Sequence, residues 1–334
     1  MFLSIIIPHY NLSEPLLKRC LDSILAIELP AEQYEIIVVD DGSDTPPRWI
    51  TETYTTANIK LIESEHNCQG AARNIGIEAA QGRYIQFVDA DDTLQCNNAI
   101  PQCINKLQQE RPDLLRFKYR VCPQYKAPNK KCEQQVTFGN TISGAAYTAN
   151  NNLPANVWCY FVKAELLKRK NIRFTHGIFH EDEEFSTILH YHAQTLVECD
   201  ADIYNYCIRK SSTITARSAA NVEKRLTDRM TVLERLATFR ATTVTQSNSI
   251  QKKALQRKLT TLVVDTIINH LRAGKSAKQI HHLCTSRITP LMLYPIANGE
   301  YGWKFKLFRK LANSKTGLHL LRLIIPSTHK PAKR

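Results

Sequence analysis

Arg83-Tyr84-Ile85-Gln86-Phe87-Val88-Asp89-Ala90-Asp91-Asp92 is an apolar run that breaks into three carboxylates within four residues. Tyr84, Ile85, Phe87 and Val88 suit a buried strand, which puts Asp89, Ala90 and Asp91 where its carboxyl end leaves the core. In an open α/β sheet that end is where ligands bind. Two carboxylates spaced i, i+2 about a small residue can converge from a turn on one divalent cation, and hard oxygen donors suit Mg2+ or Mn2+. A solvated acidic turn that merely stops a strand is the plainer reading of the same residues. The flanking chain has to decide between the two.

Upstream, Leu3–Pro8 is a β-branched run stopped by proline, with His9-Tyr10-Asn11 as its exit loop. Ser13, Glu14 and Pro15 open a helix whose apolar positions Leu16, Leu17, Leu21, Ile24 and Leu25 keep helical spacing. A second buried strand, Tyr34–Val39, also ends in acid, Asp40-Asp41-Gly42-Ser43. A helical stretch near Pro47–Thr56, a short strand at Ile59–Ile62 and a helix over Gly70–Ala80 carrying Arg73 complete the series before Gly82. Strand and helix alternating in this way predict a parallel, doubly wound sheet. The Pro8–Asn11 loop, Asp40/Asp41 and Asp89/Asp91 then crowd one carboxyl edge, and that convergence favours a site over a solvated turn.

Downstream, the pattern predicts a helix over about Cys96–Glu110, a strand over Asp113–Val121 and a loop or hairpin through Cys122–Asn140. Trp158–Phe161 leads into a helix reaching about Lys170. His180-Glu181-Asp182-Glu183-Glu184 suits a helix amino terminus, where the macrodipole favours acids by ~0.3–1 kcal/mol each. Tyr204–Arg209 reads as a strand with Ser211–Thr215 behind it, and from Asn221 the periodicity becomes helical, so a boundary falls near residue 218.

The chain has 334 residues and a net charge of +13. Residues 240–334 hold 18 Lys/Arg against only Asp265 and Glu300, a balance of +16, so the preceding residues carry −3. The ten cysteines show no C-x-x-C pair. Cys122–Cys132 as a bridge, and His281, His282 and Cys284 as metal ligands, are weaker readings than small buried residues in a reducing cytosol. Phe2–Ile7 is too short for a signal sequence, and no apolar run approaches the ~18 residues of a membrane span. Within the basic region, Tyr301–Leu311 mixes aromatics with cations as an interfacial helix does, and Leu318–Ile325 adds apolar area. That favours peripheral contact with the inner face of the membrane over a merely solvated face; no nucleic-acid reader is evident, so no nucleic-acid partner is expected.

Taken in order, Ser4-Ile5-Ile6-Ile7-Pro8-His9-Tyr10-Asn11, Ile36–Ser43, Ala71-Ala72-Arg73-Asn74-Ile75-Gly76, Gly82–Asp92, Trp158, Glu181-Asp182 and the Tyr204–Thr215 tail resemble glycosyltransferase family 2, the inverting GT-A enzymes of bacterial cell-surface polysaccharide synthesis. The resemblance spans about residues 2–215, and it departs from the family where Cys68 replaces a frequent glycine or arginine. It implies a GT-A, Rossmann-like α/β domain over 1–218, with a nucleotide-sugar half to about 95 and an acceptor half over 96–218; the basic helical region after it, 219–334, matches no family motif and is read from composition and periodicity alone. It also implies a nucleotide-diphosphate sugar donor, most often UDP-linked, and a glycan or lipid-linked acceptor.

By the same resemblance, Pro8 and Tyr10 flank base and ribose, and Asp41 with Asp40 meets the uracil edge or ribose. Arg73 faces the diphosphate or steadies the acidic loop, and Asp89 with Ala90 approaches ribose and metal. Asp91 holds Mn2+ or Mg2+, and Asp182 is the general base, with Glu181 orienting acceptor or helix. Glu183 and Glu184 are expected to form a solvated first turn; Asp92 caps a helix or orders the loop. His180 suits a positional role, and Trp158 suits either an acceptor sugar or the core. The alternative function is a catalytically inactive nucleotide-sugar-binding subunit, whose mark would be loss of an acidic position; Asp41, Asp89, Asp91 and Asp182 are all present.

Overall fold

Seven consecutive residues, Leu3–His9, are buried without exception, as a strand covered on both faces requires, and this strand (β1) lies inside the sheet with a parallel neighbour on either side. The computed structural model describes residues 1–95, 98–123, 135–208 and 218–327. The chain divides into two compact units, Met1–Tyr147 with Pro154–Ala216, and Thr148–Leu153 with Arg217–Arg334.

In the first unit β1 is followed by α1 (Glu14–Leu25), β2 (Tyr34–Asp41), α2 (Trp49–Thr53), β3 (Ile59–Ser64), α3 (Gln69–Ala79) and β4 (Tyr84–Phe87). Then come β5 (Thr93–Leu94), α4 (Ala99–Glu110), β6 (Leu114–Pro123), α5 (Gly144–Asn150), which runs to the edge of this unit, β7 (Tyr160–Lys163), α6 (Ala164–Arg169), α7 (Glu181–His192) and β8 (Leu196–Ile208). The sheet order is β3-β2-β1-β4-β7-β6-β8-β5. Register places His9 beside Asp40 and Asp41 beside Ser64, so the exits of β1, β2 and β3 share one edge. Helix α3 lies against β1 and β2 closely enough that a Cβ on Gly76 would stand 2.3 Å from Ile6 Cγ2.

The parallel sheet expected from the amino-terminal strands is present as far as β4, and beyond it the pairing becomes mixed. Only β3, β2, β1 and β4 form a continuous parallel run; β7 pairs antiparallel with both β4 and β6, and β5 antiparallel with β8. Trp158–Phe161 does lead into a helix, α6, and Tyr160–Lys163 before it is itself the strand that pairs with both β4 and β6. Strand β8 begins at Leu196, eight residues before the expected Tyr204, since its alternation is interrupted by register shifts against β6. Cys96, Cys132, most of the Cys122–Asn140 loop and the Arg209–Thr215 part of the tail lie outside the described residues.

The second unit is helical: α8 (Ala219–Thr243), α9 (Ser249–Arg272), α10 (Ala277–Leu283), α11 (Trp303–Ala312) and α12 (Lys315–Ile324). Four of its helix starts, α8, α9, α10 and α12, are capped by side chains. Ser218 accepts from Asn221 N, while Asn248 with Gln251 and Ser276 with Gln279 form capping boxes. Leu226, Met230, Leu233 and Leu236 of α8 and Leu255, Leu259, Leu262 and Ile267 of α9 are buried at helical spacing. Lys258 is buried too, its Nζ donating to Leu153 O at 2.8 Å. Among the described residues no three His, Cys, Asp or Glu side chains are placed to hold a metal, so His281, His282 and Cys284 do not form a centre.

Candidate active site

The exits of β1 and β2 are tied together by a buried carboxylate. Asp40 Oδ1 meets His9 Nδ1 at 2.7 Å and accepts from Ser43 Oγ at 2.5 Å, while Oδ2 accepts from Ser43 N at 3.0 Å. Ser43 Oγ in turn accepts from Asn11 N at 2.8 Å, which fixes the loop after β1 to the loop after β2. Asp40, expected beside Asp41 at the nucleotide, also closes these two loops. Pro8, expected beside the base, is buried within β1. Tyr10 remains, 48% exposed.

Tyr10 stacks on His66 with ring centroids 4.2 Å apart and planes 21° from parallel. His66 Nδ1 lies 3.0 Å from Asp41 Oδ2 and 2.9 Å from Asp41 O, and Asp41 Oδ1 accepts from Asn67 N and Cys68 N at 3.0 and 3.3 Å. Gly42 makes this possible. Its φ is +72°, and a Cβ there would stand 2.5 Å from His66 N. His66 was not singled out from the sequence; its signal was its place in the β3 exit loop, at the same edge as the two acids. Cys68 caps α3, its Sγ accepting from Ala71 N at 3.4 Å and from Gly177 N at 3.2 Å.

The Asp89–Asp92 turn is held from three sides. Its backbone carbonyls at Asp89 and Asp91 are met from α1 by Cys20 Sγ (3.8 Å) and Arg19 Nη2 (2.5 Å). Asp89 N donates to Tyr204 Oη at 3.1 Å, and Tyr204 Oη donates to Asp92 Oδ2 at 2.6 Å. Asp92 Oδ1 accepts from Cys207 N at 2.7 Å. Asp92 orders this loop from the inside; burial, with Asp89 and Asp91 adding to it, pushes its carboxyl up to about 8 against the two hydrogen bonds it accepts. Ala90 is buried in the same turn.

Arg73 joins this turn to α7. Only 3% exposed, it donates from Nη2 to Asp89 Oδ1 at 2.8 Å and from Nη1 to Glu181 Oε1 at 2.9 Å, with its guanidinium 5.3 Å from the centroid of the Phe174 ring. Gln69 Nε2 adds a 3.0 Å contact to Asp89 Oδ1. Of the two expected roles for Arg73, facing a diphosphate or steadying the acidic loop, this geometry serves the second. Gly70, one turn from Arg73, is close to the same carboxylate, since a Cβ on it would stand 3.1 Å from Glu181 Cγ.

At the start of α7, His180 takes the left-handed conformation, φ +68°, as N-cap. Asp182 is partly buried, its Oδ1 accepting from Glu183 N at 2.9 Å. Burial, then Glu181 and Glu183, push its carboxyl up to about 7, with Arg73 opposing. Glu184, expected to be solvated, is instead buried and accepts from Thr175 Oγ1 at 2.8 Å. Trp158 is buried, stacked on Tyr204 at 4.3 Å and 11° with Tyr119 edge-on at 4.8 Å, a core position.

Asp89 and Asp91 offer hard oxygen donors on one turn, with no third protein ligand of the His, Cys, Asp or Glu type among the described residues. That donor set fits Mg2+ or Mn2+ held by one or two carboxylates and completed by phosphate oxygens and water, not a cage made by the protein alone.

The sequence profile of "Glycosyl transferase family 2" matches residues 4–173, about half of the chain and all of the parallel run. The chain belongs to glycosyl transferase family 2. It is 30% identical over 210 residues to the uncharacterized glycosyltransferase EpsJ of Bacillus subtilis, covering 61% of this chain and 60% of that one. It is 32% identical over 217 residues to a poly(ribitol-phosphate) beta-glucosyltransferase of Bacillus spizizenii, covering 63% and 33%. The match therefore spans less than two thirds of either relative. In three dimensions the chain is similar to residues 1–349 of Staphylococcus aureus TarS, solved with UDP-GlcNAc, at a TM-score of 0.56 and 19% identity, over 87% of this chain and 89% of that one. It is likewise similar to the mannosyltransferase PcManGT of Pyrobaculum calidifontis, solved with GDP-Man and Mn2+, at a TM-score of 0.53 and 16% identity, over 96% and 86%. The fold is GT-A, an α/β architecture with an open, partly parallel sheet.

Proposed function

We propose that this chain is an inverting glycosyltransferase that moves a sugar from a nucleotide-diphosphate donor, a UDP-sugar, to a hydroxyl of a glycan or lipid-linked acceptor in bacterial cell-surface polysaccharide synthesis. The observation that carries the reading is Arg73, whose two terminal nitrogens hold Asp89 on one side and Glu181, next to Asp182, on the other. Two acidic groups with different work are thus set at a fixed separation. The donors bound in the two similar solved structures, UDP-GlcNAc and GDP-Man, support the nucleotide-sugar class.

In this reading Tyr10 and His66 offer a flat face to the nucleobase beside Asp41, and Asp89 and Asp91 face the diphosphate. A divalent cation bound by Asp91, with Asp89, supplies charge neutralisation for the departing nucleoside diphosphate. Asp182 takes the proton of the acceptor hydroxyl as that oxygen attacks the anomeric carbon from the face opposite the leaving group, which inverts the configuration. A carboxylate with a value of about 7 suits a base at neutral pH, since it binds a proton more firmly than an ordinary aspartate yet is ionised in a large fraction of molecules. Residues 1–218 form the transferase domain in this proposal, and 219–334 a basic helical region at the inner face of the membrane. No helix among the described residues is long and apolar enough to cross a bilayer.

A thermal-shift screen of nucleotide sugars with and without Mn2+ tests the donor assignment, because a ligand that binds only the folded state raises the melting temperature. A rise seen for UDP-sugars, enlarged by Mn2+ and lost with Asp91→Ala, is the expected result. No rise with any nucleotide sugar would remove the donor reading, and a product of unchanged anomeric configuration would remove inversion.

A further inference from the structure

We infer that α11 and α12 together form a docking face for an anionic lipid bilayer, which gives the membrane contact proposed above a defined surface. Helix α12 buries Gly317, Leu318 and Leu321 on one side, yet Leu320, Leu323 and Ile324 stand on the outward side, 47%, 83% and 69% exposed. Their spacing of three and four puts them on one stripe. A helix that is apolar on both sides has a second surface to cover.

Helix α11 has the same construction. Trp303 and Leu307, one turn apart, are 71% and 52% exposed, and Lys304, Lys306 and Lys310 around them are exposed as well. Lys304 Nζ lies 5.7 Å from the centroid of the Trp303 ring, so cation and indole present one amphipathic edge. The two helices are tightly joined: a Cβ on Gly317 would stand 2.0 Å from Leu311 O, and Ser314 caps α12 in the connection.

Charge selects the partner. Residues 303–324 contain six Lys/Arg and no Asp or Glu. A second protein surface would have to answer six cations with acids of its own, whereas an anionic leaflet supplies negative charge and an apolar interior in one place. A second copy of this chain would bring the same six cations to the contact and repel.

The test is co-sedimentation of the full chain with vesicles of phosphatidylcholine alone or with phosphatidylglycerol, comparing wild type with Leu323→Asp/Ile324→Asp and with Lys306→Gln/Lys310→Gln. Wild type is expected to bind the anionic vesicles and not the neutral ones. The acidic pair is expected to weaken binding about tenfold or more, from the loss of two apolar anchors, and the neutral pair to lower its salt sensitivity. Equal binding by all three chains would overturn the inference. So would a dimer seen by light scattering that the acidic pair dissolves, which would assign the face to a second copy. The UDP-sugar thermal shift is read on the same samples: a shift retained by the acidic pair shows that it folds, and a shift absent from every chain counts against the donor assignment without touching the vesicle result.

Discussion

Replacing Asp182 by Asn separates two properties that one carboxylate joins. Burial, with Glu181 and Glu183 adding to it, lifts Asp182 from 3.8 to about 7 in the folded chain. The folded state holds this proton more tightly than the unfolded state does. Whatever stability the group contributes is therefore complete below pH ~4 and is lost as the pH rises through about 7. Between pH 5 and 7 the unfolded carboxyl is ionised and the folded one is not, at about 1.4 kcal/mol for each pH unit, a ceiling of about 3 kcal/mol across the window. Solvent reaches this partly buried side chain and Glu183 beside it, which brings the expected figure to about 1–2 kcal/mol. Asparagine cannot ionise. The melting temperature of Asp182→Asn minus that of wild type should therefore grow by roughly 3–6 °C from pH 5 to pH 8, while transfer falls by about 10²–10⁴. Wild-type kcat/KM should climb about tenfold per unit below about 7 and level off above it. Scanning fluorimetry across pH and a coupled assay for released nucleoside diphosphate measure both. A melting difference that does not change with pH would refute the raised value, and turnover by the variant above a tenth of wild type would refute the base.

Arg73→Met should raise the midpoint of that rate profile, because the guanidinium opposes the upward push on Asp182, and should destabilise the chain by about 3–5 kcal/mol in urea titrations by leaving Asp89 and Glu181 unpaired. Tyr204→Phe removes the hydroxyl between Asp89 N and Asp92; about 1–3 kcal/mol of stability and a weaker donor KM are expected, and unchanged donor binding would mean the turn keeps its shape without it. Gly42→Ala meets both a positive φ and a 2.5 Å approach to His66 N, so it should displace His66 from Tyr10 and lower donor affinity, measured by calorimetry, more than kcat.

The parallel half of the fold was legible because β1, β2 and β4 are buried throughout and lead into residues that are costly to bury: Pro8-His9, Asp40-Asp41 and Asp89. In the other half α4, β6 and the start of α7 were legible, but the strand that joins the halves was not. Tyr160–Lys163 carries no alternation, and its antiparallel pairing with β4 and β6 is a tertiary choice that local periodicity does not encode. Among the site residues the sequence identified the acids but not how each is used. Asp40, Asp41 and Asp92 have the same chemistry as Asp89 and Asp91, yet backbone N–H groups of Ser43, of Asn67 and of Cys207 turn the first three inward. Only the path of the backbone separates a carboxylate held by main-chain N–H groups from one held by side chains, as Gln69 and Arg73 hold Asp89.

Arg73 shows why that distinction matters. A buried ion pair is a poor source of stability, since desolvation of both partners offsets most of the attraction, and an apolar cluster of the same volume would hold α3 to α7 at least as well. What an apolar cluster cannot do is fix two carboxylates by separate hydrogen bonds from one rigid plane. The distance between Nη1 and Nη2 sets how far Asp89 can stand from Glu181, and Glu181 leads directly into Asp182. Lysine has a single terminal nitrogen and would satisfy one carboxylate at the expense of the other. Arg73→Lys should therefore recover part of the stability that Arg73→Met loses but little of the transfer rate, and full recovery of both would mean that charge alone, without the fixed separation, is what the site requires.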